Sequence, residues 1–304
     1  MTQKPHLPLE DVWQVWCDCL KGEDHNSIQN QLIRMVWFEA IYRMVLESRR
    51  LTQNHYSNKP PINYAFHQFI DQNFIDAHLS RVRKIIGDKQ RDSLLGVKGV
   101  FSFWSLLKDI KSRQSEITRI KYFQLIKVPY DRELIMLKKR EFTRSIAKEQ
   151  TAFMIPRECD VGPTDDAHFT FDGYSDRSAQ NRSEADIASP KFFESIENSL
   201  SSADKIIDFV NKSIAHAATP ESRQEVRFTD IKIPFQNLWQ INRHFAEIFN
   251  KLSGFLSCSF LMVLPFESAN LFDYWDEPLI PKGYIDHIRD YFNEIRNETE
   301  ANME

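Results

Sequence analysis

Only eight of the 304 residues are glycine, where average usage near 7% would give about 21. Glycine is the residue that enters turns with positive φ at no steric cost. A chain this poor in it has few tight turns, which favours long helices over a many-stranded sheet. The aromatic content points the same way, with 23 Phe and 6 Trp available for a buried core. The expectation is an all-α helical bundle.

Apolar residues recur at three- and four-residue steps through most of the chain, the spacing of one helical face. "LEDVWQVWCDCL" (9–20) places Leu9, Val12, Trp13, Trp16 and Leu20 on such a face. A second helix is expected over 26–51, with Ile33, Trp37, Ile41, Val45 and Leu51 as its stripe and Phe38 and Met44 widening it. "SNKPP" (57–61) breaks the chain, because paired prolines exclude the residues before them from a helix. Helix resumes over about 63–86 and stops at Gly87. Further helices are expected at 100–112, from an Asp131 cap to about 150, from Pro190 for nearly thirty residues, at 235–252 and at 282–298. In the 131–150 helix, Leu134, Leu137, Phe142 and Ile146 are expected to face inward. "RFTDIKIP" (227–234) reads as a short extended piece.

Residues 157–190 read differently. They are polar, acidic and turn-rich, which predicts one long loop or inserted lobe. Asp165, Asp166, His168 and Asp172 lie there without a recognised metal-ligand spacing. The resulting division is an N-terminal pair of aromatic helices (1–60), a bundle (61–252) interrupted by that loop, and a C-terminal helical extension (253–304) packed on the bundle.

Several chemistries have no motif. There is no GxGxxG, no P-loop lysine, no HExxH, no GxSxG and no EF-hand loop. Cys17, Cys19, Cys159 and Cys258 lack zinc spacing, and reduced thiols are the simplest reading. No cofactor and no metal are therefore expected. The longest apolar run, "FLSCSFLMVLPF" (255–266), is too short to span a bilayer. With no basic start and apolar run at "MTQKPHLPLED", the expected location is cytoplasmic, with no membrane partner.

Charge is distributed unevenly. Residues 81–150 hold 18 Lys/Arg and 8 Asp/Glu, an excess of ten cations in a chain whose net charge is −4. Such asymmetry suits an anionic partner, and equally a set of solvated helix faces. Arg81 lies beside apolar Val82 and so needs either a carboxylate, with Asp71 and Asp88 as candidates, or a phosphate ligand. Asp208, Lys212 and His216 stack at i, i+4 steps on one helix face. Lys and His near a helix C-terminus suit the helix dipole, and His216 also suits a general base near neutral pH.

The pairing of "LSRVRKIIGDKQRDSLLGVKGVFSFWSLLKDI" (79–110) with "DFVNKSIAHAA" (208–218) resembles the abortive-infection branch of the HEPN superfamily (higher eukaryotes and prokaryotes nucleotide-binding). The resemblance extends loosely over about 30–250. It implies a helical bundle, usually a homodimer, in a bacterial defence or toxin–antitoxin type system. It also implies RNA binding, with a cognate antitoxin or regulatory protein as partner, and cleavage without metal in many members. By that resemblance His216, Lys212 and Asn211 are the candidate catalytic residues. Arg81, Lys84 and Arg243, the last beside His244, are the candidate RNA contacts. The family's motif arginine is missing, since Phe209, Val210 and Asn211 occupy the three places where it would stand. That departure keeps open a second reading, a catalytically degenerate helical interaction or scaffold protein.

Overall fold

Leu9, Val12, Trp13, Trp16, Cys19 and Leu20 form the buried face of α1 (Leu9–Lys21) in the computed structural model. Glu10 and Asp11 in the first turn and Lys21 in the last complement the helix dipole. Gly22 ends the helix where a Cβ would lie 2.5 Å from the Asp18 carbonyl oxygen, so no larger residue fits without movement. The structure describes residues 7–55, 63–90, 93–95, 99–146, 156, 159–201, 204, 207, 210, 235–257 and nine positions between 283 and 294.

Among the described residues there follow α2 (Ile28–His55), α3 (Tyr64–Ile86), α4 (Phe103–Ser112), α5 (Arg119–Leu125), α6 (Arg132–Ile146), α7 (Gly162–Ser175), α8 (Pro190–Ser201) and α9 (Phe235–Phe255). The fold is an all-α bundle. Among the described residues there is no β-strand, only an isolated antiparallel bridge between Thr118 and Ile187. The chain divides into two compact units, 1–265 and 266–304. In the second, Tyr284 and Tyr291 are exposed and Arg289 pairs with Asp286 at 2.5 Å.

In the first unit α2 packs against α1, α3 and α9. The core is strongly aromatic. Phe255, at the end of α9, has Trp13, Tyr122, Tyr174, Phe192 and Phe193 around it at ring-centroid distances of 5.3–6.2 Å. Tilted and edge-on ring pairs at such separations add to the apolar burial. Trp16 is fully buried, and its Nε1–H donates to Asp109 on α4 at 2.6 Å, which satisfies the indole. The expected helix signals hold at several places. Asp131 caps α6 by accepting from the backbone N–H of Glu133 and Leu134, and Gly87 ends α3 at φ 78°.

Three expectations are corrected. First, 157–190 is an insertion between α6 and α8 but not one long loop: its middle folds into α7, which buries Thr164, Ala167, His168, Phe171 and Ser175. Three of those five are polar, which hid the apolar stripe. Each is buried with a hydrogen bond, as burial of a polar group demands. Thr164 Oγ1 donates to the Pro129 carbonyl, His168 Nε2 to the Tyr130 carbonyl, and Ser175 Oγ to the Phe171 carbonyl. Second, α2 turns Ile28, Leu32, Met35, Glu39 and Tyr42 inward, while Leu51 and Phe38 are exposed. Its middle turns, residues 35–46, are apolar nearly all round, so periodicity could not choose the face. Third, Leu134 and Leu137 on α6 are exposed and Ile135 is buried instead. α1 and α2 lie in the same compact unit as α3–α9. The piece at 227–234 lies outside the described residues.

The assignment of α7 has a direct test. Phe171 is fully buried, so Phe171→Ala should lower the free energy of urea unfolding by about 3–5 kcal/mol. A residue in a solvated loop would change it by no more than about 0.5 kcal/mol.

Candidate functional site

α3 begins with Asn63 accepting from the Phe66 N–H at 3.1 Å. It buries His78, Leu79, Val82, Ile85 and Ile86. With those residues turned inward, the cations of its last turns are left half-buried or exposed. Arg83 and Lys84 also complement the helix C-terminus.

Arg81 is half-buried, with its guanidinium carbon 4.3 Å from the centre of the Phe38 ring on α2. A cation over a ring face is a favourable contact. Phe38 is one turn along α2 from Arg34, whose positive charge is close enough to act on Arg81. Burial first, and Arg34 second, push the Arg81 pKa down. Neither arginine has a carboxylate partner among the described residues. Of the two acids expected to serve Arg81, Asp71 is engaged by Arg49 and by the Tyr42 hydroxyl, both at 2.7 Å. Asp88 accepts from the Gln90 N–H at 2.8 Å and forms no ion pair with Arg81. Two like charges thus stand close together beside an apolar ring, with no counter-ion among the described residues.

Next to them, at the end of α3, is a cleft of about 510 Å³ lined by Lys84, Arg83, Asp88, Asn26, Gln31 and Phe101 among others. Its volume lies within the range of small-ligand sites. The wall before α2 is stiffened by its own hydrogen bonds: the Asn26 N–H donates to Asp24 Oδ1, Asn30 Nδ2 to the Asp24 carbonyl, and Gln31 Nε2 to the Asn26 carbonyl. The cleft therefore sets two cations beside two carboxylates, Asp24 and Asp88, with amides and one ring in a preformed setting. That set can hold a phosphate, hydrogen-bond a sugar or base, and stack against a π face.

Of the residues expected as RNA contacts, Arg81 and Lys84 fall one turn apart on α3, and Lys84 lines the cleft. Arg243 is not among the lining residues. It is strongly exposed on α9 and pairs with Glu247 at 3.5 Å, while neighbouring His244 donates to the Ser199 carbonyl at 3.0 Å. Asn211, Lys212 and His216 lie outside the described residues. Val210, one of the places where the family's arginine would stand, is buried at 1% exposure and serves packing. Arg34, Asn26 and Gln31 were not legible as site residues. Arg34 had one signal, its four-residue spacing from Phe38.

No group of three or more His, Cys, Asp and Glu that could hold a metal exists among the described residues. Asp165 pairs with Arg132, and Asp172 with Arg119 and Arg182. No described helix is long and apolar enough to cross a membrane. Comparison with known proteins finds no matching family model, no matching curated protein and no matching solved structure.

His78, one turn before Arg81, is almost fully buried, and neither of its ring nitrogens has a hydrogen-bond partner. Burial, with Arg81 adding to it, pushes its pKa down to about 4. In the unfolded chain it protonates below about pH 6.5. The folded state is then disfavoured as pH falls from 6.5 toward 4, while above 6.5 its stability is complete. A gap of that size corresponds to about 3 kcal/mol. In urea unfolding between pH 7 and pH 4, His78→Leu should lose about 3 kcal/mol less stability than wild type.

Proposed function

We propose that the protein is a HEPN-like RNA-binding protein of a bacterial defence or toxin–antitoxin type system, which holds RNA phosphates at Arg34, Arg81 and Lys84. The observation that carries this reading is the pair of arginines that have no carboxylate partner among the described residues, Arg81 standing one turn from the cleft-lining Lys84. A buried or half-buried charge is costly until it is paired. A phosphate supplies that pairing, and Arg binds it through a planar fork of donors. The excess of cations over residues 81–150 supports a polyanion rather than a single small acid.

Cleavage of the bound RNA is the further part of the proposal. His216 takes the proton from a ribose 2′-hydroxyl, and Lys212 and Asn211 stabilise the charge that develops on the phosphate. Buried Val210 supplies no charge, so the cation the family's motif would place there comes from Arg81 or from a second copy in a homodimer. No metal enters this chemistry. A second reading has its own support: the exposed Leu134 and Leu137 on α6, together with Val210, suit a non-catalytic helical interaction protein, with an antitoxin or regulatory protein as its partner.

Anisotropy of a labelled single-stranded RNA across 50–200 mM salt tests the binding. Affinity should fall linearly on a log–log plot, and Arg81→Ala and Lys84→Ala should each flatten the slope by about 0.7. An unchanged slope in both variants removes the phosphate assignment. Incubation with RNA in EDTA tests cleavage, which His216→Ala should abolish. Equal cleavage by that variant removes the catalytic assignment, and intact RNA with tight binding favours the non-catalytic reading.

A further inference from the structure

We propose that the first two turns of α3 form a second contact for the same RNA, a platform on which unpaired bases stack against Phe66 and Phe69 while the His67 Nε2–H donates to a base or ribose. This contact rests on the RNA-binding reading above.

Tyr64 is 79% exposed, Phe69 64% and Phe66 40%. The helix does not need these rings for its own packing. Phe66 and Phe69 lie away from the face that buries His78, Val82 and Ile85, beside which Phe74 stacks on Tyr42 of α2 at 3.9 Å and 4°. At about 3.6 residues per turn, Phe69 lies beside Phe66 on the outer side and His67 borders Phe66, whereas Tyr64 stands in line with buried Val82, five turns on, and is not part of this surface. The Phe66 and His67 rings are edge-on at 5.9 Å.

The imidazole supplies an independent observation. Arg49 Nε donates to His67 Nδ1 at 2.8 Å. A guanidinium has no lone pair to offer, so Nδ1 is the acceptor and the proton of the neutral ring is on Nε2. Arg49 is held in turn by Asp71 at 2.7 Å and by the His67 carbonyl at 3.2 Å, and Asp71 also accepts from Tyr42. Burial and the Arg49 charge keep the His67 pKa below its ordinary value, so the ring stays neutral. Three residues thus fix one half-buried imidazole in a single tautomer, and its donor nitrogen has no partner among the described residues. A structural tie between α2 and α3 requires only Arg49 and Asp71. That tie leaves the Nε2–H of His67 unused among the described residues and does not account for the exposed rings of Phe66 and Phe69.

Placement along the helix points to RNA rather than a protein partner. Phe66 and Lys84 are separated by five full turns, so they lie on one line of the outer face about 27 Å apart. A strand following that line meets rings at one end and the cations of the cleft at the other. Bases stacked about 3.4 Å apart would cover it with about eight nucleotides.

A labelled single-stranded RNA of about twelve nucleotides, titrated into the full chain, tests the platform. The double variant Phe66→Ala, Phe69→Ala should bind about tenfold more weakly or worse. Its log–log salt slope should be unchanged, because no charge has been removed. The double variant Phe66→Tyr, Phe69→Tyr keeps the π faces and should bind like wild type, which guards against misfolding of the alanine form. 4-Thiouridine in the RNA should crosslink to the peptide containing residues 64–69. Wild-type affinity in the alanine variant, crosslinks confined to other peptides, or an altered sedimentation coefficient that marks the rings as a contact between copies would each overturn the platform and leave the phosphate site standing. Absence of any binding by the wild-type chain would overturn both.

Discussion

Arg119 is a guanidinium with no solvent exposure at all, and three segments of the chain are arranged around it. Its Nε and Nη2 donate to Asp186 Oδ2 at 3.2 and 3.0 Å, Nη2 also reaches Asp172 at 2.9 Å and Ser175 Oγ at 3.3 Å, and Nη1 reaches the His168 carbonyl at 3.4 Å. The backbone repeats the link, since the Arg119 N–H donates to the Asp186 carbonyl at 2.7 Å. Phe171 lies under the same guanidinium at 4.8 Å. Two carboxylates for one cation would leave surplus charge, and Arg182 and Arg177 supply the balance from the rim. Burial pushes the Asp172 pKa up, but the hydrogen bonds from Arg182 and Arg119 outweigh it and hold the carboxyl below its usual range. Loss of one partner from such a buried set costs about 3–5 kcal/mol, because the remaining charge is stranded.

That network explains why a polar, acidic stretch folds into the bundle at all. α7 has too few apolar residues to dock by hydrophobic burial alone. It docks because Asp172, Ser175 and the His168 carbonyl face a cation, and because Thr164 and His168 bond to the carbonyls of Pro129 and Tyr130. Once seated, it places Tyr174 and Phe171 against Tyr122 and Phe255 and completes the aromatic core. The acids that suggested metal ligands in the sequence are consumed by arginines.

The proposed RNA surface follows from the opposite arrangement. Where Arg119 is surrounded by acids, Arg81 and Arg34 are given a ring and each other. The same contrast separates the two neutral histidines of α3. His78 is enclosed against Phe74 with no hydrogen-bond partner among the described residues, whereas His67 is pinned by Arg49 with one nitrogen directed to no described group. Helix α3 packs by one face and leaves the other with exposed rings at its start and cations at its end. A scaffold held elsewhere by buried ion pairs can carry such uncompensated groups, since the core does not depend on them.

Scarce glycine, proline breaks and long three- and four-residue periodicities determined the helical class, most helix positions, the Asp131 cap and the Gly87 stop. These are local effects, decided within one or two turns of the chain. The sequence also singled out Arg81 and Lys84 as candidate contacts. It could not show that Asp71 would be taken by Arg49 and Tyr42, or that Arg34 would stand beside Arg81. Nor could it show that α2 would turn Tyr42 rather than Trp37 inward, that α6 would leave Leu134 and Leu137 outside, or that polar 162–175 would be a core helix. Each of those depends on which residue lies across a helix–helix interface, a relation between segments distant in sequence. Periodicity specifies which residues share a face, but only the packed structure assigns that face a partner.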